Sequence, residues 1–243
     1  MAGHSKWAKV KRIKAVVDAK RGKIFSKLAR EVTVAAKIGG SDPQMNPRLR
    51  MVLLKCRAVN MPADNIDRAI KKGAGGGEGA NFEDLTYEMY GPHGVALLVE
   101  ISTDNRNRTA AEIRSIITKN GGSMATPGSV SRLFQRKGQM IVSREAASED
   151  RLMELALDAG AEDFKSEEQG FEILTEPAMF EAVHQRMERA GVKFESAEIT
   201  SLPTVTVPLA GAAAAASGRL IDALEEHDDV KEVFTNADFP EAA

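Results

Sequence analysis

A single cysteine, Cys56, in 243 residues leaves no internal disulfide framework and fits a reducing compartment, so its thiol reads as a small core side chain. No run of about 18 apolar residues exists to cross a bilayer. The start has no apolar stretch of the signal-peptide kind, and Ala2 in place of glycine excludes N-myristoylation. A cytoplasmic protein that uses no membrane is expected. His4, His93, His184 and His227 are scattered, none at ligand spacing with another histidine or with Cys56, so no metal site is legible. The sequence also lacks a Gly-x-Ser-x-Gly elbow, a Ser-x-x-Lys pair and a kinase signature. The acid pairs Glu167-Glu168 and Asp228-Asp229 fall where turns are expected and read as solvated carboxylates. Nothing supports catalysis, and a non-enzymatic protein with no cofactor is the expectation.

What the chain does have is charge sorted along its length. Residues 1–76 hold 18 Lys and Arg against five Asp and Glu, a balance of +13, whereas residues 77–243 hold 15 against 30, a balance of −15. The net charge of −2 hides this asymmetry. A uniform surface would serve solubility better than a segregated one, and a basic end is the electrostatic footprint of a polyanion binder, because each cation placed on a phosphate releases condensed counterions. The spacing predicts a helix over 20–38, with Phe25, Leu28, Val32 and Ala35 on one side and Lys20, Lys23, Lys27, Arg30 and Lys37 roughly opposite. One face packs and the other is a cationic stripe. Upstream, Lys6, Lys9, Lys11, Arg12 and Lys14 spread around any helix that 7–17 could form, which predicts a frayed arm that orders on its partner.

Gly39 and Gly40 end the first helix, and Asn46 with Pro47 opens a second whose inner face is Leu49, Val52, Leu53, Cys56 and Val59. A third helix has Asp64 and Asp67 near its start and Lys71 and Lys72 before Gly73. The three form a basic bundle. The run 73–79 (GAGGGEG) lacks the Gly-Lys-Ser/Thr of a phosphate loop and follows a helix, so it reads as a flexible linker. Strands follow over 84–90 and 94–102, then a helix with a Thr109/Glu112 capping box, and a strand over 129–135.

From 140 the order is strand, helix, strand, strand, helix, strand, ending near 202, which is the ferredoxin-like βαββαβ. Its first and last strands are neighbours, so the unit suits an insertion. The tail adds a helix over 212–226 and a strand over 230–235. The expected fold is α+β and multidomain: a basic three-helix bundle at 1–76, a discontinuous α/β sandwich at 77–137 and 204–243, and a ferredoxin-like unit at 138–203 inserted in it.

The residues Gly3-His4-Ser5-Lys6-Trp7, Lys20-Arg21-Gly22-Lys23-Ile24-Phe25, Asn46-Pro47-Arg48-Leu49-Arg50, Asn60-Met61-Pro62, Ala69-Ile70-Lys71-Lys72-Gly73, Tyr90-Gly91-Pro92 and Asn105-Arg106-Asn107-Arg108-Thr109 closely resemble the YebC/PmpR family. The resemblance implies a three-domain cytoplasmic bacterial protein without known enzymatic activity. Members are described as DNA-binding transcriptional regulators, mitochondrial relatives activate translation of a cytochrome oxidase subunit, and bacterial members are reported on the ribosome.

Charge and resemblance together favour a nucleic-acid-binding regulator, with DNA or ribosomal RNA as partner; a protein adaptor using the acidic domains would leave the basic segment unexplained. A monomer is expected. The residues expected on phosphates or bases are Lys6, Trp7, Lys9, Lys11, Arg12, Lys14, Lys20, Arg21, Lys23, Lys27 and Arg30, with Arg106 and Arg108 as a second contact before a helix N-terminus. Trp7, the only indole, either stacks on an unpaired RNA base or docks on the bundle.

Overall fold

A computed structural model describes residues 3–75 and 82–239, with side chains from Arg21 onward. Its first element, α1 (Gly3–Gly39), is one uninterrupted helix of 37 residues. This corrects the expected frayed arm. A like-charge i,i+4 pair costs only about 0.2–0.5 kcal/mol, Lys, Arg and Ala are strong helix formers, and propagation from a packed turn needs no new nucleus. Helix α2 (Pro47–Ala58) starts where the Asn46 side chain accepts from the Leu49 amide at 3.0 Å. The Asn46 amide also donates to the carbonyls of Ala35 and Gly40 at 2.9 and 2.8 Å, so one side chain ties the end of α1 to the start of α2.

Helix α3 (Ala63–Ala74) runs through Gly73 rather than stopping before it. A Cβ there would lie 2.4 Å from the Thr33 carbonyl and 2.8 Å from the Ala36 Cβ, so glycine lets α3 lie directly on α1. Leu28, Val32 and Ala35 of α1, Leu49, Val52 and Cys56 of α2, and Met61 and Ala69 form the bundle core. Burial pushes the Cys56 thiol up to about 11, as suits an inert core side chain.

Strands β1 (Glu83–Tyr90) and β2 (Ala96–Thr103) make an antiparallel hairpin around Gly91-Pro92-His93-Gly94, where His93 and Gly94 take left-handed φ of 61° and 79°. Helix α4 (Arg106–Lys119) is capped by Asn105, whose side chain accepts from the Arg108 amide at 3.1 Å. The expected Thr109 cap is instead buried inside the first turn, because Asn105 is the better cap and starts the helix earlier. A two-residue strand β3 (Ser123–Met124) completes one sheet edge. The strand expected over 129–135 is absent: the Glu88 carboxylate accepts from the amides of Gly128, Val130 and Ser131, holding donors that a ladder would need, and Pro127-Gly128 turns the chain.

Strand β4 (Phe134–Ser143) therefore begins at Phe134 and belongs to the second sheet. Helix α5 (Glu149–Ala159), β5 (Asp163–Glu167), β6 (Gly170–Thr175), α6 (Phe180–Arg189) and β7 (Ser196–Pro203) follow. The order β5-β6-β4-β7, all antiparallel, is the ferredoxin-like arrangement. Its ends meet where the Leu133 carbonyl accepts from the Thr204 amide at 2.8 Å. The tail then returns through β8 (Val207–Pro208), α7 (Gly211–Glu225), β9 (Val230–Thr235) and β10 (Ala237–Asp238). Strand β9 joins the first sheet beside β2, in the order β3-β1-β2-β9, and β8 pairs with β10.

The fold is thus α+β, with the ferredoxin-like unit inserted in the first sheet's unit. Val95, Leu97, Val99 and Ile101 pack against Ile113, Ile117, Leu220, Ile221 and Leu224 in the first sheet's core. Met140, Val142, Phe171, Ile173, Phe180 and Val183 fill the second, where His184 stacks between Phe180 and Phe194 as a core aromatic.

Candidate nucleic-acid interface

The expected cationic stripe exists on α1, but its donors point at another part of the chain. Lys23 reaches the Glu226 carbonyl and the Asp228 carboxylate, the latter at 3.3 Å. Lys27 donates to the carbonyls of Glu225 and Val230 at 2.7 and 2.8 Å. Arg30 donates to the Asp228 carbonyl at 3.2 Å and the Asp229 carboxylate at 2.9 Å, with its guanidinium 5.1 Å above the Phe82 ring. Spacing of four and three residues puts the three on one face of α1, and all three meet the turn after α7, whose last carbonyls are also the negative end of that helix. Burial first, and then neighbouring Lys23, lower the Lys27 ammonium to about 8. The phosphate stripe expected from the sequence is therefore closed in this structure.

Helix α2 repeats the pattern. Arg48 pairs with Asp84 of β1, Arg50 with Glu181 of α6 at 2.9 Å, and Lys55 with Glu232 of β9 at 3.2 Å. Glu232 above all holds Lys55 over its ordinary value against the opposing effect of burial, while burial raises Glu31 nearby. Much of the basic segment thus neutralises the acidic one within the molecule.

Asp229, read from the sequence as a solvated turn acid, is buried at the centre of this junction. It accepts from Arg30, from Arg108 at 2.7 Å and from Thr109 at 2.7 Å, and Thr109 in turn contacts Thr103 at 2.7 Å. Burial favours its neutral form, but the hydrogen bonds from Thr109 and Arg108 and the adjacent guanidinium groups outweigh that and hold the carboxyl below its ordinary value. His227 accepts from the Asp229 amide and meets Glu112 at 2.8 Å, fixing the same turn to α4. Asp104, Arg108 and Glu112, the turn 226–229, and Lys23, Arg30 and Phe82 line a cleft of about 540 Å³ between α1 and the first sheet's unit.

Of the other expected contacts, Arg108 is occupied by Asp104 and Asp229; Arg106, at the first position of α4, and Arg21, on α1, lie at the surface. The side chains of Lys6, Trp7, Lys9, Lys11, Arg12, Lys14 and Lys20 lie outside the described residues; their backbone is helical. Among the described residues no group of His, Cys, Asp or Glu could hold a metal, and no helix is long and apolar enough to cross a membrane.

Two family descriptions cover nearly all of the chain: the TACO1/YebC protein N-terminal domain over residues 5–76, and the TACO1/YebC second and third domain over 82–237. A probable transcriptional regulatory protein of Clostridium tetani is 52% identical over 99% of this chain and 98% of its own length. One of Opitutus terrae is 53% identical over 100% and 98%. The crystal structure of a conserved hypothetical protein, Aq1575, from Aquifex aeolicus is similar with a TM-score of 0.81 and 47% identity, covering 93% of each chain. With both matches spanning the bundle and both sheets, the chain belongs to the TACO1/YebC family.

Proposed function

We propose that this protein is a non-enzymatic, nucleic-acid-binding regulator of gene expression, with duplex DNA as its ligand and the first half of α1 as its primary contact. The observation that carries this is the continuous helix through residues 3–20, which holds six Lys and Arg against the single acid Asp18. At 1.5 Å per residue that half extends about 27 Å, and a helix of such length and charge fits along the major groove, about 12 Å wide. An extended arm would have suited a crevice of folded RNA; a helix removes that argument. Relatives carrying the description "probable transcriptional regulatory protein" support the regulatory reading.

The cations of residues 23–55 are largely committed to carboxylates and carbonyls of the same chain, and the sequence of the first half of α1 adds six Lys and Arg with Asp18 as its one acid. If four to six phosphates are neutralised, log affinity for duplex DNA falls with log salt with a slope between about −3.6 and −5.4. Titration with a duplex across a salt series checks this. A protein that binds no duplex at low salt would return the acidic sheets, and a protein partner, to first place.

A further inference from the structure

We propose that the acidic turn at residues 225–229 is a built-in phosphate mimic that closes the α1 stripe, and that a polyanion bound along α1 displaces it. This rests on the nucleic-acid reading above and adds to it a regulated second contact. Lys23, Lys27 and Arg30 are one face of one helix, and every acceptor given them by this turn is a carbonyl or carboxylate oxygen from residues 225–230. Such an array of anionic and dipolar oxygens at a helix C-terminus presents to the cations what a phosphodiester backbone would present.

The seam is built to part. Lys23, Lys27 and Arg30 meet the end of α7 and its turn through hydrogen bonds and ion pairs to carbonyl and carboxylate oxygens. At the outer edge of the seam the Lys23 and Asp228 side chains keep 38% and 74% of their exposure, and such exposed pairs hold weakly and are screened by salt, while the Arg30–Asp229 pair is the buried part that a polyanion must replace. The turn has its own anchorage on the other side: the Ser102 amide donates to the Asp229 carbonyl at 2.8 Å, and Thr109 and Arg108 grip its carboxylate. It therefore stays folded on the first sheet's unit when α1 leaves. The wall of the cleft opposite α1 carries Asp104, Glu112, Asp228 and Asp229, with Arg108 held by Asp104 and Asp229, so an incoming backbone would follow the α1 cations alone.

The test is a Glu226→Gln, Asp228→Asn double variant beside a control with the same change of net charge, Glu145→Gln with Glu154→Gln on the second sheet's unit. At about 50 mM salt the turn variant is expected to bind a duplex of about 20 base pairs about three- to tenfold more tightly than wild type. The control should gain less than about twofold. In parallel, a carbodiimide joins Lys23 to Asp228 in free wild-type protein, a link read by mass spectrometry, and saturating duplex should suppress it. Equal affinities for variant and control, or a Lys23–Asp228 link that persists in the saturated complex, would overturn the mimic while leaving nucleic-acid binding intact. Absence of binding by wild type, variant and control alike would overturn both.

Discussion

The two halves of α1 carry similar charge, and the second is docked on the acidic turn after α7. Residues 21–39 include Arg21, Lys23, Lys27, Arg30 and Lys37, and the three at the centre are spent on the turn after α7. Residues 3–20 carry Lys6, Lys9, Lys11, Arg12, Lys14 and Lys20 on the same continuous helix. On the proposed reading, a basic segment has two uses that composition alone does not separate. One is to dock on the acidic remainder of its own chain, and the other is to bind a polyanion. Substitutions in the docked set should cost stability, and substitutions in the first half should cost binding.

The largest expected effect is on the docked side. Lys55→Ala removes the cation paired with Glu232 and one of the two beside the half-buried Glu31, and should destabilise the fold by about 2–3 kcal/mol in denaturant unfolding. This is less than for a fully buried pair, because the Lys55 side chain keeps 31% exposure. A loss of DNA affinity with unchanged stability would break the comparison at that residue.

Asp229→Asn comes next, at about 1–2 kcal/mol, since Arg30, Arg108 and Thr109 lose a charged acceptor. The sign of its pH dependence follows from a carboxyl held below its ordinary value of 3.8. The unfolded chain takes up the proton first, so the stability that Asp229 contributes is complete above about pH 4 and is lost as pH falls below it. Acid unfolding of wild type and variant should thus converge at low pH, and curves that stay parallel would contradict the assignment.

The smallest effect is expected at Trp7. On a helix lying in a duplex groove it has no unpaired base to stack on, so Trp7→Ala should change affinity for duplex DNA and for structured RNA little and alike. A loss of about 1–3 kcal/mol on RNA alone, the size of one base stack, would favour a translation factor acting on ribosomal RNA.

Local signals were legible in the sequence. Asn46-Pro47 marked the start of α2, alternation of Val95, Leu97, Val99 and Ile101 marked β2, and the ferredoxin-like order followed from strand and helix periods. The junction was not, because Lys23 and Asp228 are 205 positions apart and nothing near either announces the other. The only available hint was global, the near-equality of a surplus of +13 and a deficit of −15. Asp229 illustrates the point: beside Asp228 it looked like a solvated pair, and only the arrival of Arg30, Arg108 and Thr109 from two other elements makes it a buried acceptor. The missing strand over 129–135 has a similar cause, since Glu88, some 40 residues upstream, takes the amides.

The most direct test of the account neutralises the first half of α1 alone. A Lys9→Gln, Lys11→Gln, Arg12→Gln variant should keep the wild-type melting temperature, while the slope of log affinity against log salt for duplex DNA becomes shallower by about 2.7, or 0.9 for each of three lost phosphate contacts. An unchanged slope with binding intact would contradict it and place the phosphates elsewhere on the molecule.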